Sequence, residues 1–138
     1  MLLSVLDKSK YLKGLLILIG KDKIIAEEEK KLLMEVSNIL GFDPDFCENA
    51  INELLENEYI IEEPPVFSSI EIAKAFIKDG IKIAFSDKEL HLYELNWLKS
   101  VSDKNGIEPG WGLNEFENYK KTVPENNHPV SFEISGLI

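Results

Sequence analysis

Four acidic residues carry the strongest chemical suggestion in this chain, because they recur in pairs at fixed spacing. Asp22 and Glu29 stand seven positions apart in "DKIIAEEE", and Asp87 and Glu94 stand seven apart in "DKELHLYE". Carboxylates gathered at one place are costly unless protons or a cation neutralise them. Hard cations such as Ca²⁺ and Mg²⁺ take oxygen ligands, so Asp22, Glu29, Asp87 and Glu94 form a candidate site for a divalent metal cation of that class. The same residues also have a purely structural reading. With Ala26 and His91 as N-caps, Glu29 and Glu94 fall at N3. A glutamate there reaches back to the N-cap N–H, and its charge favours the helix N-terminus. The aspartates would then close the preceding turns. Glu27 and Glu28 meet Leu92 and Tyr93 in the second octet and read as a solvated helix start.

Other chemistry is thin. His91, between Asp87 and Glu94, would complete an Asp/His/Glu set of zinc or manganese type. Ala26 holds the equivalent place in the first octet, so a partly exposed histidine at a helix start is the plainer reading. His128, in "NNHP", reads as loop. Cys47 is the one cysteine, which excludes an intrachain disulfide, fits a reducing cytoplasm and suits buried filler on a helix. "GWG" at 110–112 lacks phosphate-loop spacing, and no Gly-x-Ser-x-Gly occurs. No nucleophile or acid/base pair accompanies the acids, so a metal-dependent hydrolase is the weakest function class.

Composition sets the frame. The 138 residues are 44% hydrophobic and 29% charged, enough for one domain with a real core. Twenty-five acidic and 15 basic residues give a net charge of −10, which repels phosphate backbones and anionic membranes. The pairs Lys30–Lys31 and Lys120–Lys121 sit among glutamates, so no nucleic-acid partner is expected. A cation or a basic protein partner suits this surface. The apolar run after Gly14 is only Leu15–Ile19, far short of a membrane span. No signal-cleavage pattern follows it, so a buried helix and a cytoplasmic location are expected.

The elements that must position the acids read as helices. Leu32, Leu33, Val36, Ile39 and Leu40 mark one buried face. Phe46, Ala50, Ile51, Leu54 and Leu55 mark the next, after Pro44 at a favoured first-turn position. Ile70, Ala73, Phe76, Ile77, Ile81 and Ala84 mark a third. Trp97 and Trp111 read as core aromatics, with Tyr93 and Tyr119 at or near repeat-equivalent positions. Breaks fall at "EEPPVFSS" (62–69) and "NGIEPGWG" (105–112), and no alternating stretch marks a sheet. The fold class is therefore all-α. The tail, 122–138, alternates Val130, Phe132 and Ile134 and reads as a strap on the helical body or a loose end.

Sliding the chain by 65 positions matches Asp22 with Asp87, Lys23 with Lys88 and Glu29 with Glu94. It also matches Leu33 with Leu98, Val36 with Val101, Ser37 with Ser102, Gly41 with Gly106 and Pro44 with Pro109. Each half, about 12–58 and 69–121, predicts three helices with a left-handed glycine stop after the second. Neither half buries its apolar faces alone, so the two should pack as a pseudo-twofold pair.

This pattern resembles the tellurite-resistance TerB family and its wider helical superfamily, over roughly residues 12–121. The resemblance rests on Asp22…Ile25…Glu29…Leu40-Gly41 and Asp87…Leu90…Glu94…Asn105-Gly106. It implies a cation bound by Asp22, Glu29, Asp87 and Glu94. It also implies a non-enzymatic module of a bacterial stress-response system. The alternative is an acidic protein–protein interaction domain without metal. Lys23 and Lys88 replace the family's usual glycine after the aspartate, so the turn must take a shape that lysine tolerates.

Overall fold

The structure is a computed structural model that describes residues 3–20, 24–56, 63–122 and 130–138, with Asp87 described by its backbone alone. Among the described residues there are six α-helices and no strand: α1 (Val5–Gly20), α2 (Glu27–Ile39), α3 (Pro44–Glu56), α4 (Ile70–Ala84), α5 (Leu92–Lys104) and α6 (Trp111–Thr122). Two 3-10 helices accompany them, Phe85–Asp87 and Glu133–Leu137. The all-α fold class expected from the sequence is the one observed.

Local chemistry explains the helix ends. Ser4 caps α1: its hydroxyl accepts the Asp7 N–H at 3.0 Å and donates to the Asp7 carboxylate at 3.0 Å. Ser69, 65 positions later, caps α4 by accepting the Ile72 N–H at 3.3 Å. Gly41 (φ 89°) and Gly106 (φ 69°) terminate α2 and α5. Phe42 N–H reaches the Ser37 carbonyl and Gly41 N–H that of Asn38; Ile107 repeats this to Ser102 and Gly106 to Asp103. This is the Schellman pattern, and it occupies carbonyls the helix leaves open. α2 and α5 begin 65 positions apart, at 27 and 92, and end 65 apart, at 39 and 104. Pro44 opens α3, but its match Pro109 lies ahead of α6. Gly110, at φ 85°, breaks the chain there and delays α6 to Trp111.

α1 and α4 form the centre. α1 packs against α2, α3, α4 and α5, and α4 against α1, α2, α5, α6 and the C-terminal 3-10 helix. α2 also packs on α3, and α5 on α6. Tyr11, Leu15, Leu18, Phe76, Ile77 and Ile83 are fully buried at this centre. Phe76 lies so close to Gly14 that an added Cβ would stand 2.8 Å from its ring carbons. The Trp97 indole N–H donates to the Gly14 carbonyl at 3.0 Å, which makes Trp97 the core aromatic expected.

Two side chains depart from the predicted stripes, and Trp111 differs in part from its expected core role. Phe46 is 54% exposed and stacks on Phe42, because α3 turns Cys47, Ile51 and Leu54 inward instead. Ile70 is the first residue of α4 and lies exposed at its mouth. Trp111 is half-buried: it packs against the edge of the core and carries the Lys74 ammonium 5.2 Å from its ring centre, so it is a core-edge aromatic rather than a fully buried one. In the tail, Phe132 is extended and Glu133–Leu137 wind into a 3-10 helix on α4. Phe132 and Ile134 are buried.

Candidate functional site

The two glutamates of the candidate metal set occupy the same local geometry. Glu29 Oε1 accepts the Ala26 N–H at 3.0 Å, and Glu94 Oε1 accepts the His91 N–H at 3.0 Å. Neither N-cap side chain returns a bond, so each is the glutamate half of a capping box. Both carboxylates are buried, Glu29 at 8% exposure and Glu94 at 1%. The helices that begin with them, α2 and α5, do not pack on each other among the described residues. The 3-10 turn that carries Asp87 packs on α2, the helix of Glu29. Asp22, Lys23 and His128 lie outside the described residues. Among those described, no group of three His, Cys, Asp or Glu is placed to hold a metal ion.

Lys88 differs from its expectation. It sits at φ 70°, ψ 13°, the left-handed conformation that glycine takes without cost. The turn therefore keeps a glycine-like shape and the lysine bears it, because the Lys88 N–H is held by the Phe85 carbonyl at 2.9 Å. His91 stacks on Tyr93, with ring centres 5.5 Å apart, and its Nε2 lies 4.0 Å from the Glu89 carboxylate. It is exposed, as a histidine at a helix start should be. Cys47 is buried, and burial pushes its thiol above the ordinary range, away from the reactive thiolate.

Two further buried carboxylates went unremarked in the sequence. Asp7 accepts the Ser68 N–H at 3.0 Å as well as the Ser68 and Ser4 hydroxyls. Burial works to raise its pKa, but those bonds outweigh it and hold the carboxyl below its usual value. Asp7 thus ties the start of α1 to the connection before α4. Asp79 is 0% exposed in the middle of α4. Its Oδ2 accepts the Tyr11 hydroxyl at 2.6 Å and the Ile134 N–H at 3.1 Å, and its Oδ1 accepts the Glu133 N–H at 2.7 Å. Burial pushes its pKa up to about 6 against the pull of these bonds and of Lys82. The signal in the sequence is an aspartate three residues after Phe76 and two before Ile81, on the apolar face of its helix.

Asn105 does similar work on the other side of the connection. Its amide donates to the Pro65 and Val101 carbonyls at 2.8 Å each and accepts the Phe67 N–H at 2.9 Å. Two clefts flank α6. One, of about 330 Å³, is lined mainly by Ile77, Ile81, Leu95, Leu98 and Leu113. The other, of about 400 Å³, lies between α4, α6 and the C-terminal segment, with Lys78, Lys82 and Tyr119 on its walls. Comparison with family models, curated proteins and solved structures finds no match for this chain.

Proposed function

We propose that this chain is a non-enzymatic helical module, TerB-like in plan, that works by binding a basic protein partner through its acidic surface. One observation carries the reading. Among the described residues the four buried carboxylates, Asp7, Glu29, Asp79 and Glu94, each accept backbone N–H groups of this same chain. They hold helix starts and connections in place, and the other 21 acidic residues still outnumber the 15 basic ones by six. The two-unit plan is supported by the packing. Exchange α1 with α4, α2 with α5 and α3 with α6, and each helix pairing maps onto another that is present. Exposed charges are screened by salt, so a partner captured at low ionic strength should elute at high ionic strength. A specific partner that salt leaves bound would count against the acidic face as its contact.

A second reading, a divalent cation held by Asp22, Glu29, Asp87 and Glu94, is favoured by Lys88. Its left-handed turn preserves the Asp-Gly shape of the family the sequence resembles. Stripped of metal with EDTA, the chain should then melt higher with millimolar Ca²⁺ or Mg²⁺. An ion at 100 times its Kd adds about 2.7 kcal/mol. Asp22→Asn with Asp87→Asn should abolish the rise. An unchanged melting temperature with every ion would end this reading.

A further inference from the structure

The 65-residue register marks one place that is filled in the first unit and open in the second. Leu12, Leu16, Leu33, Ser37 and Cys47 are all buried, and Ser37 bears on the Cys47 thiol. Their counterparts Ile77, Ile81, Leu98, Ser102 and Gly112 all line the apolar cleft of about 330 Å³. Glycine thus stands where the first unit carries its thiol side chain. A Cβ built on Gly112 meets only Ile77 Cγ2, at 3.7 Å, so the missing side chain leaves usable space. Leu113, half exposed, adds a side wall, and α6 buries none of its residues. A guest beside α6 therefore unseats no core side chain of that helix.

The polar features of the cleft narrow what it can take. Ser102 is only 7% exposed, and its hydroxyl makes no hydrogen bond among the described residues, unlike that of Ser100. A hydroxyl nearly removed from water gains when a ligand gives it a partner. Lys99 and Asp103 lie exposed at the edge, one helical turn apart on α5. Their charges oppose each other, so the edge selects neither an anion nor a cation, and a charge carried onto the apolar walls would lose its hydration. The chain's own last segment is committed elsewhere, with Phe132 and Ile134 buried and its amides on Asp79. The volume falls in the range of small-molecule sites.

We propose that the cleft between α4, α5 and α6 binds a small neutral molecule, an apolar body with one hydrogen-bonding group that meets the Ser102 hydroxyl.

Amide NMR on the full chain, titrated with para-cresol, para-xylene and para-toluate, tests this. The three probes share one shape and differ in one group. Cresol should saturably shift the amides of 109–113 and of the C-terminal half of α5. Xylene, without a hydroxyl, should bind there about two- to tenfold more weakly. Toluate, which carries a charge, should be about tenfold weaker than cresol or worse. Ser102→Ala should bring cresol down to xylene and leave xylene unchanged. Gly112→Leu fills the space and should abolish all three sets of shifts. If that variant does not fold, Gly112→Cys supplies the side chain of position 47 and should weaken every probe. Absence of a saturable cresol shift, shifts centred elsewhere, or binding that a folded Gly112 variant leaves intact would overturn the site. Toluate binding as tightly as cresol would overturn its neutral preference. Equal weakening of cresol and xylene by Ser102→Ala would overturn the role of the hydroxyl. Shifts at these amides on concentrating the chain alone would give the cleft to a second copy and overturn the proposal as well.

Discussion

Positions 14 and 79 hold the same place in the 65-residue register, and so do positions 11 and 76. In one pairing Phe76 lies on Gly14, which has no side chain to obstruct it. In the other, Tyr11 points its hydroxyl at Asp79. The two rings also meet each other edge to face, 5.4 Å apart at 87°. One crossing of α1 and α4 is thus closed twice, once by volume and once by a hydrogen bond. The polar version leaves Asp79 with lone pairs to spare, and the C-terminal segment takes them. α3 and α6 differ in the same spirit. α3 buries Cys47, Ile51 and Leu54, whereas α6 buries none of its residues. Equivalent positions in a register can carry different work, and the second unit is where the chain spends polarity and space.

The contrast is broken most severely at Phe76. Phe76→Ala empties the space above Gly14, and truncating a buried phenylalanine typically costs about 3–5 kcal/mol. Tyr11→Phe keeps the ring and loses only a bond to a carboxylate, so its cost should be smaller. Urea midpoints at constant slope give both values. If Phe76→Ala cost no more than Tyr11→Phe, packing would not be what closes the Gly14 side.

A smaller effect is expected at the left-handed turn of Lys88. A left-handed L-residue bears about 1–2 kcal/mol, and part of any gain from glycine is returned as unfolded-state entropy. Lys88→Gly should therefore raise stability by about 1 kcal/mol, read from the same midpoints. Lys88→Ala is the control: it has a Cβ and should gain nothing. A gain from alanine equal to that from glycine would assign the effect to the lysine charge rather than to the backbone.

What could be read from the sequence divides by distance along the chain. Pro44 at the start of α3, the glycines ending α2 and α5, and the N3 glutamates all act within a few residues. Those features were legible because their chemistry is local. The inward face of α3 was read rightly at Ile51 and Leu54 and, as buried filler, at Cys47, but its first member was not: Phe46 lies exposed. A periodic pattern fixes a helix but leaves its rotation to what it meets. Asp79 was invisible as a partner because Tyr11, Glu133 and Ile134 lie 68, 54 and 55 positions away. The paired carboxylates were found, and Glu29 and Glu94 take the capping geometry that was one of their two readings. Asp22 and the Asp87 side chain fall outside what the structure describes.

The smallest expected effect tests the contrast between α3 and α6 at its source. Gly112 stands 65 positions after Cys47, in the first turn of α6, and borders the apolar cleft of about 330 Å³. A Cβ placed there meets Ile77 Cγ2 at 3.7 Å, an ordinary contact rather than a clash. Gly112→Ala should therefore gain about 0.5–1 kcal/mol from helix propensity, with some burial against Ile77 in addition. Cys47 shows that the first unit accepts a larger side chain at the matching place. A higher urea midpoint at unchanged slope would mean that α6 lies shallow because its sequence leaves the space empty. A loss of stability would mean that the cleft is shaped by contacts which a methyl group disturbs, and the register would then fail as a guide to how α6 packs.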